Sequence, residues 1–283
     1  MKKLFIITTL ILSIAQVASA AGPASPPKRI VSLAPSMTEI LYALGLGDNI
    51  VGVTTFCDYP EEAKKKAKIG GMSNPSMEAV ISLKPDIVVL TTDGNPKEFE
   101  ERLVALKINT VVFQARRLVE LPRGIRDLGK ALGVKDRADT LAHEIEAGIN
   151  RLKAESPAFR ASGQSSIRKK VLFIVWPEPL IVAGPGTAMD DAITLLGYEN
   201  IAASAKSSYP KYSLEEAIRE APEVLVIGKG SGMDMHAVSQ GILQKLATVP
   251  AVKNGKVCFL GDGLYRLGPR VIRGIEELAQ CLK

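Results

Sequence analysis

SMEAVISLKPDIVVL (residues 76–90) returns as SLEEAIREAPEVLVI (residues 213–227), with each matched position offset by 137. Each copy opens on a serine of the kind that caps a helix, Ser76 or Ser213, and carries an acidic residue in the first turn, Glu78 or Glu215. Two helical turns later a proline, Pro85 or Pro222, ends the helix. An apolar run follows, residues 87–90 or 224–227, continuous enough for a strand covered on both faces. Weaker echoes keep the same order. Leu44-Gly45 and Asn49-Ile50 resemble Leu196-Gly197 and Asn200-Ile201, and residues 29–33 resemble 170–174. Several echoes in one order predict two similar lobes.

Outward from the repeat, short apolar runs alternate with amphipathic stretches, the pattern of an α/β chain. Strands are expected at residues 30–33, 50–54, 87–90 and 110–113, and in a second set at 170–175, 224–227 and 256–260. Between the sets, Ala138, Leu141, Ile145, Ile149 and Leu152 recur at steps of three and four, one face of a helix. Over residues 135–155 that helix would be roughly 32 Å long at about 1.5 Å per residue, enough to brace two lobes side by side. The expected fold class is α/β: two α/β lobes, residues 29–134 and 170–283, bridged by one long helix at 135–155 and a polar linker at 156–169, with a ligand cleft between the lobes. A single rigid connector predicts small hinge motions.

The N-terminus sets the expected compartment. Lys2 and Lys3, an apolar run over residues 4–17 and Ala18-Ser19-Ala20 have the layout of a signal peptide, residues 1–20, with cleavage after Ala20. The run is too short for a membrane anchor. No cysteine follows it, so the usual lipoprotein attachment point is missing. Residues 21–28 form a lead-in containing Pro, Gly and Ser. The secreted chain is expected to be periplasmic, soluble and monomeric.

The net charge is +6, but basic residues are scattered among acidic ones and aromatics make up only 5% of the chain. A nucleic-acid surface needs clustered charge with stacking rings, so nucleic acid is excluded as a partner. Three cysteines, Cys57, Cys258 and Cys281, are an odd count in an oxidising compartment. One disulfide is allowed, Cys258 with Cys281 being the favoured pairing, and at least one thiol stays unpaired within the chain.

No catalytic constellation is present in the sequence. After Gly45-Leu46-Gly47, Ile50 occupies the position where a dinucleotide fingerprint needs its third glycine. Neither a phosphate-binding loop nor a Gly-x-Ser-x-Gly elbow occurs, and Gly184-Pro185-Gly186 reads as a turn. The two histidines, His143 and His236, are too few and too distant for a protein-only zinc site. A binding protein with no catalytic cofactor is expected. Its site should lie in loops at strand ends, where open α/β sheets hold ligands. The few aromatics collect in such loops: Phe56 and Tyr59 after the second strand, Trp176, Tyr209 and Tyr212 in the second lobe, and Tyr265 between Asp262 and Arg266. As a set they suit a flat, partly apolar ligand.

These residues carry a resemblance. Arg29-Ile30-Val31-Ser32-Leu33-Ala34-Pro35 with Thr38-Glu39, Val51-Gly52-Val53 to Asp58-Tyr59-Pro60, Leu83-Lys84-Pro85-Asp86, and Gly197 with Glu199-Asn200 resemble the iron-siderophore, haem and cobalamin solute-binding family of ABC importers. The loop from Asp262 to Arg266, followed by Pro269-Arg270, is similar to the cobalamin branch. The resemblance covers nearly the whole secreted chain. It implies two lobes bridged by one helix, with cobalamin or a related corrinoid held between them as cargo.

Carried over residue by residue, the resemblance implies that Phe56 lies against the corrin. Tyr209 replaces a tryptophan of the cleft, and Met72 replaces an aromatic. Asp262, Gly263, Leu264, Tyr265 and Arg266 form a loop that contacts the ligand, and Trp176 joins them from its own loop. Glu78 and Glu215 are implied to dock, one per lobe, onto arginines of the importer's two transmembrane subunits. Haem or a ferric siderophore is the alternative cargo, although the tyrosine iron ligand typical of haem binders is absent around Met72. A secreted α/β enzyme with an unrecognised site is the alternative from another class. Read as a charge facing the cleft, Arg266 is expected to matter for binding and little for thermal stability.

Overall fold

The computed structural model describes residues 26–156, 168–229 and 234–283. The expected signal peptide and residues 157–167 of the expected linker lie outside the described residues. The first lobe runs β1 (Ile30–Ser32), α1 (Pro35–Ala43), β2 (Ile50–Val53), β3 (Ala67–Lys68), α2 (Met77–Ser82), β4 (Ile87–Thr91), α3 (Lys97–Ala105), β5 (Thr110–Phe113) and α4 (Leu121–Ala131). Then comes α5 (Lys135–Glu155). The second lobe runs β6 (Lys170–Trp176), β7 (Ile181–Val182), α6 (Ala188–Leu195), β8 (Glu199–Asn200), α7 (Leu214–Glu220), β9 (Val224–Gly228), α8 (Met235–Lys245), α9 (Pro250–Lys253), β10 (Val257–Leu260) and α10 (Val271–Cys281).

The first sheet is parallel throughout, in the order β3-β2-β1-β4-β5. The second has the order β10-β9-β6-β7, with β8 also on β6, and only the β6–β7 pair is antiparallel. Thus β1, β4 and β5 correspond to β6, β9 and β10. Helices cover both faces, which explains why β1 and β9 are buried at every residue and read as unbroken apolar runs. The two-residue strands β3, β7 and β8 are too short to leave a periodicity in the sequence.

The sequence repeat is also a conformational repeat. Ser76 Oγ accepts a hydrogen bond from the Ala79 amide at 3.2 Å, and Ser213 Oγ accepts one from the Glu216 amide at 3.0 Å. Both helices then leave through a left-handed residue that is not glycine, Lys84 at φ 45° and Ala221 at φ 50°. Such a conformation costs about 1–2 kcal/mol for an L-residue, and it recurs at the same place in both copies.

The connector α5 is the 21-residue helix its periodicity predicts, with Ala138, Ile145 and Leu152 buried. It lies against α4 of the first lobe and α10 of the second. Gly148 allows the approach to α10, because a Cβ there would collide with Ile272. One apolar cluster runs from Met37 and Leu41 of α1 through Ile145 to Phe173, Val226 and Leu264 of the second lobe. Parting the lobes widely would return that surface to water at about 25 cal/mol per Å². Across the same junction, Arg117 pairs with Asp191 at 2.6 Å, and the Leu118 amide donates to the same carboxylate. Cys258 and Cys281 form a disulfide between β10 and α10, while Cys57 is free and buried.

Candidate functional site: the cleft between the lobes

Both sheets aim the carboxyl ends of their parallel strands at one cleft, a cavity of about 520 Å³. From the first lobe it is lined by Pro35 after β1, Phe56 after β2, Met72 after β3, Asp93 after β4 and Phe113 at the end of β5. From the second lobe come Val175 of β6, Met189 of α6, Tyr209, and Tyr265 with Arg266 after β10. Most of this wall is apolar. Ligands collect at strand ends because the loops there are free to vary over a rigid scaffold.

Local structure presents the key rings. The turn carrying Phe56 is pinned by the buried Cys57 thiol, which lies 3.1 Å from both the Thr38 and Thr54 hydroxyls. Burial pushes that thiol's pKa up, so it packs as a neutral group. With Cys57 held inside, Phe56 is left 52% exposed. In the second lobe, the Gly184 amide donates to Ser208 O at 2.8 Å and the Val182 amide to Pro210 O at 3.2 Å. Both residues flanking Tyr209 are therefore tied to β7 and its extension, while Tyr209 itself lines the cavity. Gly184 is required there, because a Cβ would meet the carbonyl oxygens of Ser207 and Ser208.

Met72 and Tyr209 occupy equivalent positions of the two lobes, again 137 apart. Asn95 anchors the Met72 loop by donating to the Met72 and Leu33 carbonyls at 2.9 and 2.8 Å. Across the cleft, the Tyr209 hydroxyl donates to Asp93 Oδ2 at 3.3 Å. Burial and the Asp93 carboxylate both push the phenol's pKa up, so it remains a donor.

Beside the apolar wall, three carboxylates meet two guanidinium groups drawn from both lobes. Arg266 reaches Asp58 at 2.5 Å, Asp262 at 2.9 Å and Glu39 at 3.6 Å. Arg270 pairs with Glu39 at 2.5 Å and Asp262 at 2.7 Å, and its guanidinium stacks 4.3 Å from the centroid of the Tyr59 ring. Burial raises the Glu39 pKa against the opposing pull of Arg270. Arg266 also donates to Phe56 O at 3.3 Å, which couples this network to the exposed ring.

Of the residues singled out from sequence, Phe56, Met72, Tyr209, Tyr265 and Arg266 come together at the cavity. Trp176, Asp262, Gly263 and Leu264 do not. Strand side chains alternate, so with Val175 toward the cleft Trp176 turns to the other face, packs on the second lobe's own core and donates to Glu178 O. The 262–266 loop is a tight turn, closed by the Arg266 amide on Asp262 O, which sends successive side chains in different directions. Leu264 is wholly buried, and Gly263 lies against α10. Arg266 is only 8% exposed, so its charge is structural as well as facing the cleft. His143 and His236 are exposed, the latter stacked on Phe259. Asp93, Phe113 and Met189 were missed. The signal available for Asp93 and Phe113 was position alone, at or just beyond the carboxyl end of a strand, and Met189, in the first turn of α6, carried none.

Glu78 and Glu215 sit in the first turns of α2 and α7, exposed, and neither makes an ion pair with a described residue. Among the described residues, no cluster of His, Cys, Asp and Glu could hold a metal ion, and no helix is long and apolar enough to cross a membrane.

Comparison with known proteins places this arrangement. The periplasmic binding protein family matches residues 30–264. The vitamin B12-binding protein of Pectobacterium atrosepticum is 28% identical over 256 residues, 90% of this chain and 88% of that one. An ABC transporter substrate-binding lipoprotein of Bacillus subtilis is 33% identical over 262 residues, 90% and 80% of the two chains. The ligand-free structure of a periplasmic haem-binding protein from Roseiflexus sp. RS-1 superposes with a TM-score of 0.80 at 30% identity, covering 92% of this chain and 98% of that one. These are solute-binding proteins and not enzymes. With its two lobes, bridging helix and shared cleft, the chain belongs to the periplasmic binding protein family.

Proposed function

We propose that the protein captures a corrinoid between its lobes in the periplasm and delivers it to an ABC importer. The observation that carries this reading is the pair of open rings on opposite lobes, Phe56 at 52% exposure and Tyr209 at 38%, flanking a mostly apolar cavity. Large rings left open around a concave apolar wall suit a broad, flat partner that covers them. The vitamin B12-binding relative supports a corrinoid, and the Bacillus subtilis relative supports delivery to an ABC transporter. In this reading Glu78 and Glu215 meet arginines on two transmembrane subunits, steering encounter and fixing register.

Haem is the second reading, favoured by the likeness to the Roseiflexus protein and by the Met72 thioether and Tyr209 phenol at the cavity wall. Gel filtration of the purified protein after mixing with cyanocobalamin, haemin or a ferric siderophore separates the readings by the absorbance that travels with it. Co-elution of cyanocobalamin is expected. Retention of haemin or a siderophore without cyanocobalamin would replace the corrinoid assignment.

A further inference from the structure

We infer that Ile81 and Ile218 act with Glu78 and Glu215 as a duplicated docking surface, one exposed isoleucine per lobe seating in an apolar recess of each of two equivalent transmembrane subunits. The inference rests on the docking reading of the two glutamates and adds its apolar half.

Ile81 is 43% exposed on α2 and Ile218 is 42% exposed on α7, and the two are 137 positions apart. Within each helix the isoleucine follows the glutamate by three, which puts both on one face with Cβ atoms about 5–6 Å apart. The inward residues are Val80 and Ala217, again equivalent and buried. A branched apolar side chain on the solvent face of so short a helix adds little to folding. Yet it stands in both lobes, although the exposed neighbour that follows it has diverged, Ser82 against Arg219.

Among the described residues, the other exposed aliphatics have no exposed aliphatic counterpart: Val104, Val119 and Val238 correspond under the same offset to Gly241, Lys256 and Glu101, and Leu106 to Leu243, which packs on the second lobe's core. The pairing of carboxylate and isoleucine therefore follows the lobes and not general surface composition. The occupant follows from charge and number. Each patch asks for a cation beside an apolar recess, and two like patches on one chain ask for two like partners. A second copy of this chain would set glutamate against glutamate, which is repulsive.

The test is photo-crosslinking in living cells that make the full chain, with p-benzoylphenylalanine replacing Ile81, Ile218, Glu78 or Glu215 one at a time. The expected result is that positions 81 and 218 each form an adduct with a multi-spanning membrane protein of the same identity. Ile81→Ala combined with Ile218→Ala should then lower the adduct yield from positions 78 and 215 roughly tenfold. The thermal midpoint of that double variant should fall by no more than a few degrees, because both side chains stand partly open on the solvent face. Adducts from 78 and 215 but none from 81 and 218 would overturn the inference and leave the glutamate docking intact. Silence at all four positions would remove both. An adduct from only one isoleucine, or from both to another copy of the chain, would also overturn it.

Discussion

Replacing Arg266 with alanine should destabilise the protein strongly. The guanidinium is 8% exposed and sits among Asp58, Asp262 and Glu39, with Phe56 O as a further acceptor. Its loss leaves three carboxylates to one remaining guanidinium, that of Arg270, which already serves Glu39 and Asp262. Asp58 loses the guanidinium that lies 2.5 Å from it. Truncating one member of such a buried set costs about 3–5 kcal/mol. For a chain of this size each kcal/mol moves the midpoint by about 2–4 °C, so the shift should be roughly 6–20 °C. Arg266→Lys, which keeps a charge but not the fork, should fall between the two. Differential scanning calorimetry of the ligand-free protein at neutral pH is the assay. A midpoint within about 2 °C of the parent would refute the buried-network account and restore the expectation that Arg266 matters for ligand alone.

Other outcomes follow from the same geometry. Cys258→Ser with Cys281→Ser removes a link across 23 residues, and should cost about 3 kcal/mol, read as an earlier thermal transition that reductant no longer shifts. Arg126 holds the Glu146 carboxyl below its ordinary 4.5 through a hydrogen bond between α4 and α5. That pair stabilises the fold above pH 4.5 and loses its contribution as pH falls through the lowered value. Glu146→Gln should therefore lower the midpoint at neutral pH by the equivalent of at most about 1 kcal/mol, with the gap closing in acid; a gap that widens in acid would contradict this. Tyr209→Phe removes only the contact with Asp93 across the cleft, so corrinoid affinity should change little, whereas Tyr209→Ala should weaken it about tenfold. Equal affinities for the two variants would take the ring out of the site.

Much of the architecture was legible because it depends on periodicity over many residues. The repeat located both lobes, and the spacing from Ala138 to Leu152 located a helix whose 21 residues match the expected span. Strand cores such as residues 224–227 could be read because double-sided burial demands unbroken apolar runs. The site was only partly legible, because orientation is not encoded by residue type. Val175 and Trp176 are neighbours, yet the pleat sends one to the cleft and the other to the core. In the 262–266 loop a single turn separates Tyr265 at the cavity from Leu264 in the interior. Asp58 and Glu39 lie more than two hundred residues from Arg266, so their meeting depends on how the lobes pack. Asp93 and Met189 have no motif of their own and become visible only once the strand ends are placed in space.

The central claim is that a corrinoid is held between the lobes by rings contributed from each side. Isothermal titration of cyanocobalamin into the parent protein and into Phe56→Ala with Tyr209→Ala tests it most directly. The account predicts one corrinoid per chain for the parent and an affinity roughly a hundredfold weaker for the double variant, with the fold retained. Undetectable binding by the parent, or equal affinity in the two proteins, would contradict it.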